Sequence, residues 1–236
     1  MSENPEPGYY AARRARLQRG FDRFLKRASR SLARHYDAEF AEGVVANARV
    51  EFDRIIPEIP YIGGHRNVFS GVMLANGWIV ALFRAMKSRG KSAEETVRIC
   101  VEVSDQLLRS LPGFALRLCG RLAFARPFRR LLERQAARSR ERRYPEDFVY
   151  SVREGDDGEL ALVFEECAVN KFYAAQGTEE LAPYCNFFDV GYSRLMGMGL
   201  DASETIGLGC ETCQLRFKRG RETATPDRLE NLLPPL

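Results

Sequence analysis

Phe148-Val-Tyr-Ser-Val152, Glu154-Gly-Asp-Asp-Gly158 and Leu160-Ala-Leu-Val-Phe-Glu-Glu166 decide how this chain is read. The first stretch alternates apolar and polar residues as a strand does, the second carries turn chemistry, and the third reads as the returning strand. Downstream, Lys171–Gln176 reads as a short helix ended by Gly177, and Glu180–Met196 as a longer helix. Thr205–Leu208 and Gln214–Lys218 read as two further strands. The C-terminal half is therefore expected to be a ββααββ antiparallel module.

Upstream of Tyr144-Pro145 the period changes to that of a helix. Tyr10, Leu17, Phe21, Phe24, Leu25, Ala28 and Leu32 recur at three- and four-residue steps. A second helix is expected over Ala38–Ile56, stopped by Pro57 and Pro60. A third, more apolar, is expected over Asn67–Ser88. Ser92 and Glu95 have the spacing of a capping box, opening a fourth helix to Leu111. Two short Arg-rich helices follow Pro112-Gly113 and run to about Arg142. The fold class expected is α+β: a helical N-terminal half (1–143) packed on the α+β module (144–222), with a loose tail (223–236).

The 236 residues suffice to bury a sizeable core. The longest apolar region, Val68–Met86, is broken by Asn76, Gly77 and Arg84, so no membrane partner is expected. The N-terminal stretch has no apolar segment of the secretory kind, and a cytoplasmic location is the expectation. The net charge of +4 hides two strongly basic stretches, Tyr9–Arg34 and Gly113–Arg143, each worth +8. They carry no base-reading motif, so they read as solvated helix faces in preference to a nucleic-acid surface.

Of the six cysteines, Cys100 and Cys119 have apolar neighbours and read as small core residues. Cys167, Cys185, Cys210 and Cys213 fall together in the α+β module. Cys185 and Asp189, four residues apart in an expected helix, share a face. Each of these thiols could be a plain buried free cysteine; gathered around one sheet, they also offer two chemistries. One is a nucleophile with a carboxylate partner, Cys185 or Cys213 with Asp189. The other is a zinc or iron–sulfur centre on Cys167, Cys185, Cys210 and Cys213, although only one CxxC pair is present. His35 and His65 are the only histidines, which disfavours a serine triad or a multi-histidine metal site. Gly63 and Gly64 could let a ligand approach the backbone ahead of the third helix, with Asn67 placed as its N-cap. No nucleotide-binding glycine motif is present.

Phe164-Glu-Glu-Cys167, Lys171-Phe-Tyr173, Glu180-Leu181, Cys185-Asn-Phe-Phe-Asp189, Thr205, Gly209 and Cys213 resemble the L-2-amino-thiazoline-4-carboxylic acid hydrolase family. Ile59-Pro-Tyr-Ile-Gly-Gly64 and Asn67 fit it too, so the resemblance runs over about 44–217. It departs after the last cysteine, where Gln214 and Leu215 replace an acidic and an aromatic residue. Cys210 is an extra thiol. The resemblance implies a hydrolase that opens a cyclic amidine to a carbamoyl amino acid with no required cofactor. Cys185, Asp189 and Cys213 would be catalytic; Gly63, Gly64, Asn67, Lys171 and Thr205 would hold a small-molecule substrate. A homo-oligomer is compatible with it. The alternative is a ligand, metal or redox sensor built on the same thiols without turnover.

Overall fold

The computed structural model describes residues 8–155 and 158–234. Six helices come first: α1 (Arg14–His35), α2 (Ala38–Ile55), α3 (Ser70–Lys87), α4 (Ala93–Arg109), α5 (Gly113–Leu122) and α6 (Arg126–Ser139). Then follow β1 (Val149–Glu154), β2 (Leu160–Glu166), α7 (Ala168–Ala175), α8 (Phe187–Met196), β3 (Leu200–Asp201), β4 (Cys213–Phe217) and α9 (Asp227–Glu230). The strands form one antiparallel sheet in the order β1-β2-β4-β3, so the α+β class and the ββααββ order hold. Among the described residues no helix is long and apolar enough to cross a membrane.

The helical half forms where period and caps agree. Leu17, Phe21, Leu25, Ala28 and Leu32 of α1 are buried against α2, with the Phe21 and Phe52 rings 4.5 Å apart. Ser92 accepts from the Glu95 N–H while the Glu95 carboxylate accepts from the Ser92 N–H, a complete capping box. Asn76, which interrupts the apolar run of α3, accepts a hydrogen bond from the buried Tyr173 hydroxyl of α7 and so ties module to bundle.

Several local expectations are corrected. The third helix begins at Ser70, not Asn67, because Asn67 follows a 3-10 turn over Gly64–Arg66 and its side chain serves the loop. The single helix expected over Glu180–Met196 is two pieces, a 3-10 turn Glu179–Tyr184 and α8. Pro183 has no N–H to continue an α-helical ladder, and Cys185 stands at the junction. Thr205–Leu208 is not a strand: Ile206–Leu208 is a 3-10 turn ended by Gly209 at φ 86°. The strand in its place is β3, Leu200–Asp201, two residues long and paired with β4. Cys119 is exposed rather than in the core. In the turn expected over Glu154–Gly158, Asp156 and Asp157 lie outside the described residues, while Gly155 N–H donates to the Glu159 carbonyl at 2.9 Å.

The segment from Thr223, expected to be loose, is packed. The Ala224 N–H donates to the Leu200 carbonyl at 2.8 Å, extending the sheet edge. Leu229 and Leu232 are buried, and Arg228 reaches the Pro183 carbonyl and Asn186 Oδ1. Leu229→Ala is therefore expected to cost about 2–5 kcal/mol, read as a lowered urea midpoint. An unchanged midpoint would mean that the tail contributes nothing to the fold.

Candidate active site

The site assembles at the edge where β2 ends and β4 begins. In register, Tyr150 of β1 faces Phe164 of β2, and Phe164 faces Cys213 of β4. Directly paired residues share a face of the sheet, so Cys213 points to the covered side, where it is buried. Three residues past Phe164, Cys167 turns into α7, which brings its thiol close enough to the Cys213 sulfur for each to shift the other's ionisation. The 3-10 turn closes over the other side: the Ile206 N–H donates to Cys213 Sγ at 3.1 Å, and the Gly207 N–H points at the same sulfur.

Those neighbours favour the ionised form at Cys213 over Cys167. The Cys167 thiol, then the two backbone N–H groups, hold Cys213 below the ordinary thiol range despite its burial. Cys167, which keeps the proton, is pushed well above that range by Cys213 and by burial. Cys185 is pushed up to about 12, by burial first and then by the nearby charges of Cys213 and Asp189. Burial raises Asp189 to about 6, against a 3.2 Å hydrogen bond from the Tyr192 hydroxyl.

Two polar groups at this site have no partner among the described residues. Thr205 Oγ1 is buried, and so are both amide atoms of Asn170. Asn170 stands one helical turn into α7, and its Oδ1 would lie 3.4 Å from a Cβ placed on Gly207. Buried polar atoms without partners cost about 1–3 kcal/mol each, and here they border an activated thiol.

The sequence-derived residues thus separate into two groups. Cys167, Cys185, Cys213 and Asp189 sense one another's charge, and Thr205 opens the turn that covers Cys213. Cys210 is partly buried, and its N–H donates to the Thr205 carbonyl at 3.2 Å, closing that turn. Thiolate donors would suit zinc or an iron–sulfur cluster. Yet among the described residues no three His, Cys, Asp or Glu side chains are gathered closely enough to hold a metal ion. The donor set therefore does not fit that group.

Gly63 and Asn67 lie instead in a cleft of about 860 Å³, rimmed by Arg13, Arg66, Arg138 and Arg143. Gly64 stands beside it at φ 57°, and what approaches its backbone is Tyr9, whose hydroxyl would lie 2.8 Å from an added Cβ. The cleft also contains Asp147, a carboxylate the sequence did not single out. Burial raises Asp147 to about 6, while the Phe148 N–H and the Asn67 amide pull the other way. Tyr150 lines this cleft, so two strand spacings, about 10 Å, separate it from Cys213. Phe69, Phe148 and Phe164 fill the gap. Lys171 stands between the two: its three donors meet the Pro145 and Asp147 carbonyls and Glu166, and its charge interacts with both Asp147 and Cys167.

The fold and site define an α+β protein in which Cys167, Cys185, Cys213 and the half-buried Asp189 gather where the sheet meets its covering turn. Residues 71–217, more than half of the chain, match the family of L-2-amino-thiazoline-4-carboxylic acid hydrolases, and the chain belongs to that family. No curated protein and no solved structure matches it.

Proposed function

We propose that the chain hydrolyses a small cyclic amidine of the 2-amino-thiazoline-4-carboxylate type, with Cys213 as nucleophile. The observation that carries the reading is the Cys213 sulfur, held by the Ile206 and Gly207 N–H groups beside the unpartnered Thr205 and Asn170 side chains. The family match supports it further, because residues 71–217 contain every member of this site but not Gly63, Gly64 or Asn67.

The Cys213 thiolate adds to the ring carbon bonded to two nitrogens and sulfur. That carbon's ring C–S bond breaks, and the departing sulfur takes the proton shared by Cys167 and Cys213. The ring is now open and joined to Cys213 as an isothiouronium. Water adds to the same carbon, the bond to Cys213 breaks, and a carbamoyl group forms. One proton of that water returns to Cys167, and the other leaves through Asp189. Asp189 also faces the amidinium as a counter-charge, a charge-assisted contact of the stronger kind. Thr205 Oγ1 and Asn170 Nδ2 donate to the substrate carboxylate. Each turnover releases one new thiol, so the test is thiol release on adding 2-amino-thiazoline-4-carboxylate. Release without consumption of a second reagent supports the reading, and its absence contradicts it.

Asp189 gives a pH prediction. As an ionised base it loses function when pH falls through about 6, so kcat/KM is expected to have an acid limb there. Stability runs the other way: a raised folded pKa favours the protonated form in the fold. Asp189 contributes stability at acid pH that is lost as pH climbs to about 6. Asp189→Asn is expected to cost at least about a hundredfold in kcat and to remove the acid limb. A retained limb at the same pH would assign it to another group.

A sensor reading rests on one feature, the proximity of Cys167 and Cys213, whose ionisations are linked. A two-electron oxidant would take two electrons from the pair, join those sulfurs and release the one proton that they share. Oxidation to a 167–213 disulfide without any ring opening would favour that reading over hydrolysis.

A further inference from the structure

Helices α5 and α6 combine strong positive charge with much of the exposed apolar surface. Phe114 is 74% exposed, Leu118 52% and Leu122 56%. At 100° per residue these three form one stripe along α5, while Leu116 and Gly120, both buried, lie on the opposite side. α5 packs on α8, and a Cβ on Gly120 would meet the Met196 carbonyl. Arg117 and Arg121 border the exposed stripe on one side. Phe128 and Leu131 on α6 are also exposed, at 42% and 41%. The whole segment Gly113–Arg143 holds ten arginines against Glu133 and Glu141, and Glu133 is already paired with Arg129.

We propose that α5 and α6 dock on the surface of an anionic lipid membrane. Phe114, Leu118 and Leu122 would enter the boundary between headgroups and acyl chains, and the flanking arginines would stay among the phosphates. The charge selects this occupant. A second copy would bring an equally basic face to the same stripe, and the two would repel. A nucleic acid would satisfy the arginines but leave the apolar stripe nothing to bury against. Docking on the surface requires no membrane-crossing helix, and the described residues contain none.

The test is co-sedimentation of the full chain with vesicles. One set is pure phosphatidylcholine, and the other is phosphatidylcholine with one third phosphatidylglycerol. The anionic vesicles should bind at least about tenfold more protein, the excess falling at high salt. Phe114→Ser with Leu118→Ser should lower anionic binding about tenfold with an unchanged circular dichroism spectrum. Arg117→Gln with Arg121→Gln, a second variant should the first misfold, should flatten the salt dependence. Equal binding to both vesicles, no binding at low salt, or undiminished binding by the serine variant would each overturn the proposal. So would a dimer on size exclusion that the serine variant splits.

Discussion

Cys213→Ser is expected to lower kcat/KM for ring opening by at least about a thousandfold, with the unfolding free energy from urea titration moved by no more than about 1 kcal/mol. The size follows from what the site does to this sulfur. Two backbone N–H groups and the Cys167 thiol favour its ionised form. A hydroxyl in their place accepts the same hydrogen bonds but stays protonated near neutral pH, because its proton is held far more tightly than a thiol's. The fold has little reason to respond, since serine fits the strand position and keeps an acceptor for the Ile206 N–H, 3.1 Å away in the cysteine protein. Cys185→Ser separates the two thiols proposed as nucleophile. Cys185 is pushed up to about 12 and lacks the paired backbone donors, so its replacement should cost much less. Near-equal losses in the two variants would mean that the thiols act as a unit, or that neither attacks.

The second large effect is expected at Gly207. An added Cβ would lie 2.1 Å from the Ala182 carbonyl oxygen and 2.7 Å from its carbon. Both are backbone atoms in the turn ahead of Cys185, so no flexible side chain can move aside. Gly207→Ala must push the 206–208 turn away from residues 179–184, and overpacking of this kind costs about 1–3 kcal/mol. The same movement withdraws the two N–H groups from Cys213. The variant should lose at least about tenfold in kcat, and the Cys213 thiol should titrate closer to an ordinary thiol. Alkylation rate against pH, with the modified peptide identified by mass, reads that shift. Lost stability with an unmoved thiol titration would show that the turn supports the fold without tuning the cysteine.

What the sequence made legible was local. Ser92 and Glu95 lie three residues apart and make their capping box within one turn. The stripe from Leu17 to Leu32 needs only the helical period, and the β1–β2 hairpin only alternation and a turn. What stayed illegible depends on distant partners. Leu200–Asp201 is a strand solely because β4 lies beside it, and two residues carry no period. Pro183 was visible, but its effect was to part Cys185 from α8, leaving that cysteine at a junction. The ordered set Cys167, Cys185, Asp189, Cys213 pointed to one place, and the fold brings those four together. Asn170 had no signal at all, being a polar residue in a short helix whose unpartnered amide appears only once Gly207 is placed beside it. Gly63 and Asn67 read as part of the same site because spacing cannot show that an aromatic layer stands between.

The most direct measurement mixes the protein with 2-amino-thiazoline-4-carboxylate, quenches in acid within a turnover, and maps modified peptides by mass. An adduct with the mass of one intact substrate is expected on the peptide carrying Cys213, absent from Cys213→Ser and chased to product in wild type. Steady ring opening with no adduct on Cys213, and with Cys213→Ser as active as wild type, would contradict it.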